Sequence, residues 1–258
     1  MSDLPPSQEQ PRQPGLDAVA EARAEPSPAS YRPAERLAGS VALIASGESG
    51  LGRTVALGFA REGADVAITY LDQHEDAEET VRLIEAEGRQ ALAIPGDIGN
   101  SDFAREVVRQ TVSAFGRIDV LVNNAVERPV GERLEELSDD QLERTFRMNV
   151  FSQFFLTRSA LPEMPDGSAI VNTVLAAEQE GSKPGVDHSS GRGAVIAFTR
   201  ALSRQLAGRR IRVNAVAVRP ALASFEGVLP GYVFLATREA TYFSGQVLHP
   251  SGGGVAND

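Results

Sequence analysis

The chain contains no cysteine. That excludes disulfides, zinc–thiolate sites and a cysteine nucleophile, and it suits a reducing, cytoplasmic setting. Lysine is nearly absent: Lys183 is the only one, so almost all positive charge is arginine. Such a bias fits a coding preference of the source, and it weakens arginine at any one position as a sign of selection. Positive charge is also outnumbered, with 25 Lys and Arg against 35 Asp and Glu and a formal net charge of −10. Nucleic acid and anionic membrane are therefore excluded as main partners. No apolar run approaches the roughly 18 residues needed to span a bilayer. The opening stretch "MSDLPPSQEQPRQPG" has no apolar core and is expected not to be a signal peptide. The histidines, His74, His188 and His249, are too dispersed to suggest a metal site, so no metal is expected.

What is present is enough for a packed core: 258 residues, 42% of them hydrophobic. Residues 1–36 carry prolines at 5, 6, 11, 14, 26, 28 and 33 and read as a proline-rich N-terminal arm. Two readings of it stand level, a disordered tail or an ordered arm lying on a partner subunit. A compact domain is expected over 37–258, starting near Leu37.

From there strands and helices alternate. Apolar runs predict strands at 40–46, 64–71, 90–98, 118–125, 168–174, 211–218 and 245–249. Helical spacing predicts helices at 53–63, 76–88, 101–116, 139–160 and 186–206, with Ser101 as the cap of the third and Asn149 inside the fourth. A last helix is expected to start with "LPGYVFLA" at 229. The strand runs are continuous rather than alternating, as in sheets covered on both faces. Regular alternation of this kind predicts an α/β fold: one Rossmann-type doubly wound domain with a parallel sheet of seven strands.

"SGESGLG" (46–52) falls between the first strand and the first helix. In that place small residues let the backbone approach a pyrophosphate, and the helix N-terminus offers amide donors with a partial positive charge. A dinucleotide site is favoured there over a merely structural turn. Farther on, His188 and Arg192 stand four apart in "VDHSSGRGAVIAFTRALSRQL" (186–206) and so share one helix face. The adjacent Asp187, His188 and Ser189 are not a triad, because neighbouring side chains do not converge.

"ASGESGLGRT", "GDI" (96–98), "VNNA" (122–125), "MNV" (148–150) and "IRVNAVA" (211–217) together resemble the landmarks of short-chain dehydrogenases/reductases. The resemblance runs from about Leu37 to the last residues. It is closest to a bacterial branch with a proline-rich N-terminal extension, labelled general stress proteins or glucose/ribitol-type dehydrogenases. It implies a seven-stranded Rossmann sheet that binds NAD or NADP and assembles as a homo-oligomer, a dimer or tetramer. By position, Ser46, Gly47, Ser49, Gly50, Leu51 and Gly52 would contact the pyrophosphate. Asp97 and Ile98 would hold the adenine, and Asn124 with Ala125 would line the cofactor channel. Tyr70 stands where NAD-preferring members often place an aspartate, and Ser49 where many NADP-preferring members place a base. The choice between NAD and NADP stays open.

The departures from the family carry more information. Ser46 replaces the first glycine of the turn; if that position is left-handed, serine costs roughly 1–2 kcal/mol, part of which Gly47 could absorb. Val126 stands at the fourth position of the family's "NNAG" and adds bulk near the cofactor. The family's chemistry rests on a Tyr-x-x-x-Lys pair, a serine thirteen residues before the tyrosine and a helix asparagine that anchors a relay water. Here the positions hold His188, Arg192 and Leu175, and of the four only Asn149 is retained. After the sixth strand the family's Pro-Gly is Val218-Arg219, followed by Pro220. Only residues 221–228, "ALASFEGV", then stand where the family has a long substrate-binding segment.

Three readings follow. The favoured one is a catalytically impaired or silent nucleotide-binding protein that assembles with itself or with an active family member. The second is a working NAD(P)-dependent oxidoreductase on a carbonyl or alcohol, with His188 as acid/base, Arg192 on the ribose, and Thr173, Ser189 or Ser190 in place of the missing serine. The third is a decayed gene product with no selected activity.

Overall fold

The computed structural model describes residues 32–124, 133–175, 185–218 and 225–250. Ala125, Val126, Arg219, Pro220, residues 221–224 and most of the N-terminal arm lie outside the described residues.

The apolar runs form the strands β1 (Val41–Ile44), β2 (Asp65–Tyr70), β3 (Ala91–Pro95), β4 (Val120–Asn123), β5 (Ala169–Leu175), β6 (Arg212–Val218) and β7 (Val247–Leu248). They make one seven-stranded sheet in the order β3-β2-β1-β4-β5-β6-β7, and every pairing is parallel. Between them run α1 (Gly50–Arg61), α2 (His74–Ala86), α3 (Ser101–Phe115), α4 (Asp139–Phe146), α5 (Ser152–Ala160), α6 (Val186–Gln205) and α7 (Phe225–Ala236). This is the single doubly wound domain expected from the alternation.

Continuous burial explains the continuous runs. All four residues of β1 and all seven of β6 are buried. On one face Ala42 and Ile44 pack with Val55, Phe59, Val233 and Leu235 of α1 and α7. On the other, Leu43 and Ile170 pack with Val107, Leu156 and Leu202 of α3, α5 and α6. A sheet sandwiched in this way leaves only the strand ends for a site.

Local chemistry corrects three boundaries. The cap of α3 is Asn100, not Ser101: its side chain accepts from the amides of Asp102 and Phe103. Asn and Ser cap about equally well, so the residue one step earlier could take the role. The helix α1 starts at Gly50 rather than 53, so the end of the glycine turn is already its first turn. The last helix starts at Phe225 rather than 229, so 225–228 are helical.

The expected helix over 139–160 is there, but it is interrupted by a π turn at Arg147–Phe151, around Asn149. The end of α7 and the chain's entry into the domain are both held by buried charge. Glu62, fully buried, accepts from the amides of Ala34 and Arg36 and from the Arg36 guanidinium. The buried Arg212 guanidinium donates to the carbonyls of Leu235 and Ala236 and so satisfies the last turn of α7. Burial holds its pKa below the ordinary arginine value.

Candidate functional site

The strand order reverses between β1 and β4, and the crevice beyond their carboxyl ends is where open α/β sheets bind ligands. The turn after β1 is built to keep its backbone there. Ser46 adopts φ +52°, the left-handed conformation that serine takes at a cost. Its amide donates to Thr69 Oγ1 at 3.2 Å, and the Gly47 amide donates to the Thr69 carbonyl at 3.0 Å. A Cβ on Gly47 would lie 2.4 Å from Ile68 Cγ2, so only glycine lets the turn sit on β2. A Cβ on Gly52 would lie 1.8 Å from the Ser46 carbonyl oxygen. Gly47 therefore does not merely absorb strain from Ser46; it is required for close approach.

The N-terminus of α1 suits an anion. Ser49 is its cap residue but makes no side-chain cap bond, and the first turn holds no acidic residue. Its amides point out of the helix, with the favourable end of the dipole behind them. Arg53 braces the turn: Nε and Nη2 reach the Glu48 carbonyl at 3.0 and 2.6 Å, and Nη2 reaches Asp76 Oδ1 at 2.9 Å. The backbone cradle of residues 46–52 thus fits a dinucleotide pyrophosphate.

The other expected cofactor residues lie around the same crevice. Tyr70 ends β2, and its hydroxyl is 3.0 Å from His74 Nδ1. Asp97 is exposed beyond β3 and accepts from the Gly99 amide at 2.7 Å, while Ile98 is buried beside it. Asn124 follows β4, and its Nδ2 donates to the Ser46 carbonyl at 3.2 Å.

Asn149 and His188 meet on the α6 side, with Arg192 farther along the same helix. The π turn brings Asn149 against the start of α6, where Nδ2 lies 3.2 Å from His188 Nδ1. Gly191 faces the π turn there, where a Cβ would make ordinary contact with Val150 Cγ2 at 3.4 Å. Arg192 is half-buried one turn after His188. Asp187 is buried and accepts from Thr145 Oγ1 at 2.8 Å, so its carboxylate is committed to α4. Leu175 is the last residue of β5, paired with Val218.

Three residues at this site have no motif of their own. Gln153 donates to the Asn149 carbonyl at 3.1 Å. Thr173 Oγ1 donates to Asn124 Oδ1 at 3.1 Å and lies 2.7 Å from the Tyr232 hydroxyl. The signal for Tyr232 was its phenol in an otherwise apolar helix, because a buried tyrosine hydroxyl usually has a partner. Among the described residues no three His, Asp or Glu side chains gather as a metal site, and no helix is long and apolar enough to cross a membrane.

Comparison with known proteins places this geometry. The profile of the short chain dehydrogenase family matches residues 40–224. An uncharacterized oxidoreductase of Bacillus subtilis, YhdF, is 42% identical over 275 residues, covering 95% of this chain and 94% of that protein. The chloroplastic NADPH-dependent aldehyde reductase 1 of Arabidopsis thaliana is 42% identical over 97% of this chain and 98% of its own length. Among solved structures, a short chain dehydrogenase from Burkholderia cenocepacia in complex with NADP is 30% identical, with a TM-score of 0.78 over 84% of this chain and 98% of that one. Because 95% of 258 residues is about 245, about 30 of the 275 positions aligned with YhdF face a gap in this chain.

Proposed function

The chain belongs to the short-chain dehydrogenase/reductase family, and from that premise we propose that it holds a nicotinamide dinucleotide in the turn after β1 while its acid–base machinery is impaired. The fold is that of an NAD(P)-binding oxidoreductase. The bound nicotinamide would supply or accept a hydride. What this chain must add is a proton at the substrate oxygen and donors to steady its charge.

The observation that carries the reading is what stands at the ends of β5 and α6. Leu175 offers no donor to a developing alkoxide, and loss of one such donor typically costs about 10²–10³ in rate. Thr173 does not replace it, because its single hydroxyl proton is given to Asn124. Ser190 gives its own to the Val186 carbonyl. Arg192 stays charged and passes no proton on, although it can still donate to ribose hydroxyls. The roughly 30 positions of YhdF that face gaps in this chain are in keeping with the short stretch read at 221–228, and a shortened substrate segment would weaken water exclusion.

Assembly belongs to the same proposal: residues 1–36 as an arm, 37–258 as the domain, and the face of α4, α5 and α6 as the contact. That face exposes Phe154 at 46% and Val186 at 49%, with Leu142 and Phe151 nearby. A second copy or an active family member would cover it, in the cytoplasm.

One observation favours the second reading, an active enzyme with His188 as acid/base. With Asn149 Nδ2 donating, His188 Nδ1 accepts and the ring proton sits on Nε2, in donor form. The two readings separate in one assay. Purified protein is titrated with NADH and NADPH, then assayed over a panel of carbonyls and alcohols. The expected result is saturable binding without turnover. Turnover that disappears in His188→Phe would establish the second reading instead.

A further inference from the structure

A chain of buried hydrogen bonds links α7 to the dinucleotide turn, and its direction can be deduced. Thr173 has one hydroxyl proton, and it goes to Asn124 Oδ1. Thr173 therefore accepts from Tyr232, whose hydroxyl lies 2.7 Å away. With Oδ1 fixed as the acceptor, the Asn124 amide must face the other way, and it donates to the Ser46 carbonyl. Every side chain in the relay is at least nine-tenths buried: Tyr232 at 0%, Thr173 at 2% and Asn124 at 8% exposure. Burial raises the Tyr232 pKa above its ordinary value, so the phenol stays a donor.

The relay ends on the strained residue. Ser46 at φ +52° is one of three left-handed non-glycine residues among those described, and its carbonyl also sits against Gly52. We infer that Tyr232 and Thr173 are positioning residues for the dinucleotide turn: they orient the Asn124 amide, which clamps the Ser46 carbonyl and holds the turn in its left-handed form. The clamp matters here because serine, unlike glycine, favours leaving that conformation. Arg212 steadies the far end of the relay by holding the last turn of α7. The inference rests on the dinucleotide reading for its consequence, and on the hydrogen bonds alone for its cause.

The test is a cycle of wild type, Thr173→Val, Ser46→Gly and the double variant. Each is titrated with NADPH and NADH by fluorescence, and amide hydrogen exchange at 46–52 is followed without ligand. Thr173→Val should weaken the better-bound dinucleotide about tenfold, the effect of one lost buried hydrogen bond, and should speed exchange in the turn. In the Ser46→Gly background the same change should cost less than about threefold, because glycine holds the conformation unaided. Thr173→Ser should restore wild-type affinity, and Tyr232→Phe should fall between.

A merely structural Thr173 would lower the melting temperature alike in both backgrounds and leave exchange at 46–52 unchanged. That outcome, or equal losses of affinity in both backgrounds, overturns the inference. Binding of neither dinucleotide by wild type would defeat the dinucleotide reading, while the exchange arm still decides the clamp.

Discussion

Replacing Ser46 by glycine should stabilise the protein. The residue sits at φ +52° in the turn after β1. A left-handed L-residue costs roughly 1–2 kcal/mol, and glycine removes that cost. Against this, glycine frees the unfolded chain and costs roughly 0.5–1 kcal/mol. Nothing else is lost, because the Ser46 hydroxyl makes no hydrogen bond among the described residues; only its amide and carbonyl are engaged. The net gain is about 0–1.5 kcal/mol, centred near 0.75. For a domain of this size each kcal/mol moves the melting temperature by roughly 2–4 °C, so Ser46→Gly should melt up to about 6 °C higher. Ser46→Ala is the control, since it removes the hydroxyl but keeps the strain, and it should stay within about 0.5 kcal/mol of wild type. Urea midpoints at unchanged slope would confirm a change in stability alone. If Ser46→Gly melts lower than wild type, the strain assigned to this turn is wrong.

Three further outcomes are expected. Gly52→Ala would press a Cβ to 1.8 Å from the Ser46 carbonyl, a backbone atom that cannot swing aside, so the turn must open; dinucleotide affinity should fall more than about tenfold by fluorescence titration. Tyr232 should impose an alkaline limit: its pKa is raised by burial above 10.0, so the folded state keeps a proton that the unfolded state releases. Stability should thus be intact below pH 10.0 and fall as pH rises beyond it, and Tyr232→Phe should flatten that slope in urea melts taken at increasing pH. The triple variant Leu175→Ser, His188→Tyr, Arg192→Lys should not recover ordinary dehydrogenase rates, because the chain still lacks about 30 positions that YhdF has; steady-state assays on the carbonyl panel check this.

The sheet was legible because its five inner strands are buried on both faces, and that leaves apolar runs a reader can count. Every strand and helix appears in the expected order, with ends displaced by a few residues. The displacements have local causes. Asn100 outbids Ser101 because it stands one step earlier with an equally good acceptor. Gly52 reads as a turn residue although its backbone already belongs to α1, while Gly50 at the helix start keeps a turn conformation at φ +51°. The π turn at Asn149 was hidden because one extra residue in a turn leaves the apolar spacing of 139–160 almost unchanged. The pairing of Thr173 with Tyr232 was beyond reach for another reason: they are 59 residues apart, and only the packing of α7 over β5 brings them together.

The turn and the α6 pair differ in what a substitution takes away. At the turn, backbone amides and a helix N-terminus would grip the phosphates, so conformation is what must survive. Serine at 46 keeps the conformation at the cost of strain, and the Asn124 clamp offsets that strain. Proton transfer has no such tolerance, because it depends on a given side-chain atom reaching about 2.6–3.2 Å from the reacting oxygen. An imidazole is shorter than a phenol, and His188 is drawn toward Asn149 besides. Binding therefore degrades gradually as residues change while catalysis fails stepwise. The proposed state, a dinucleotide cradle without competent acid–base groups, is the one that this asymmetry favours.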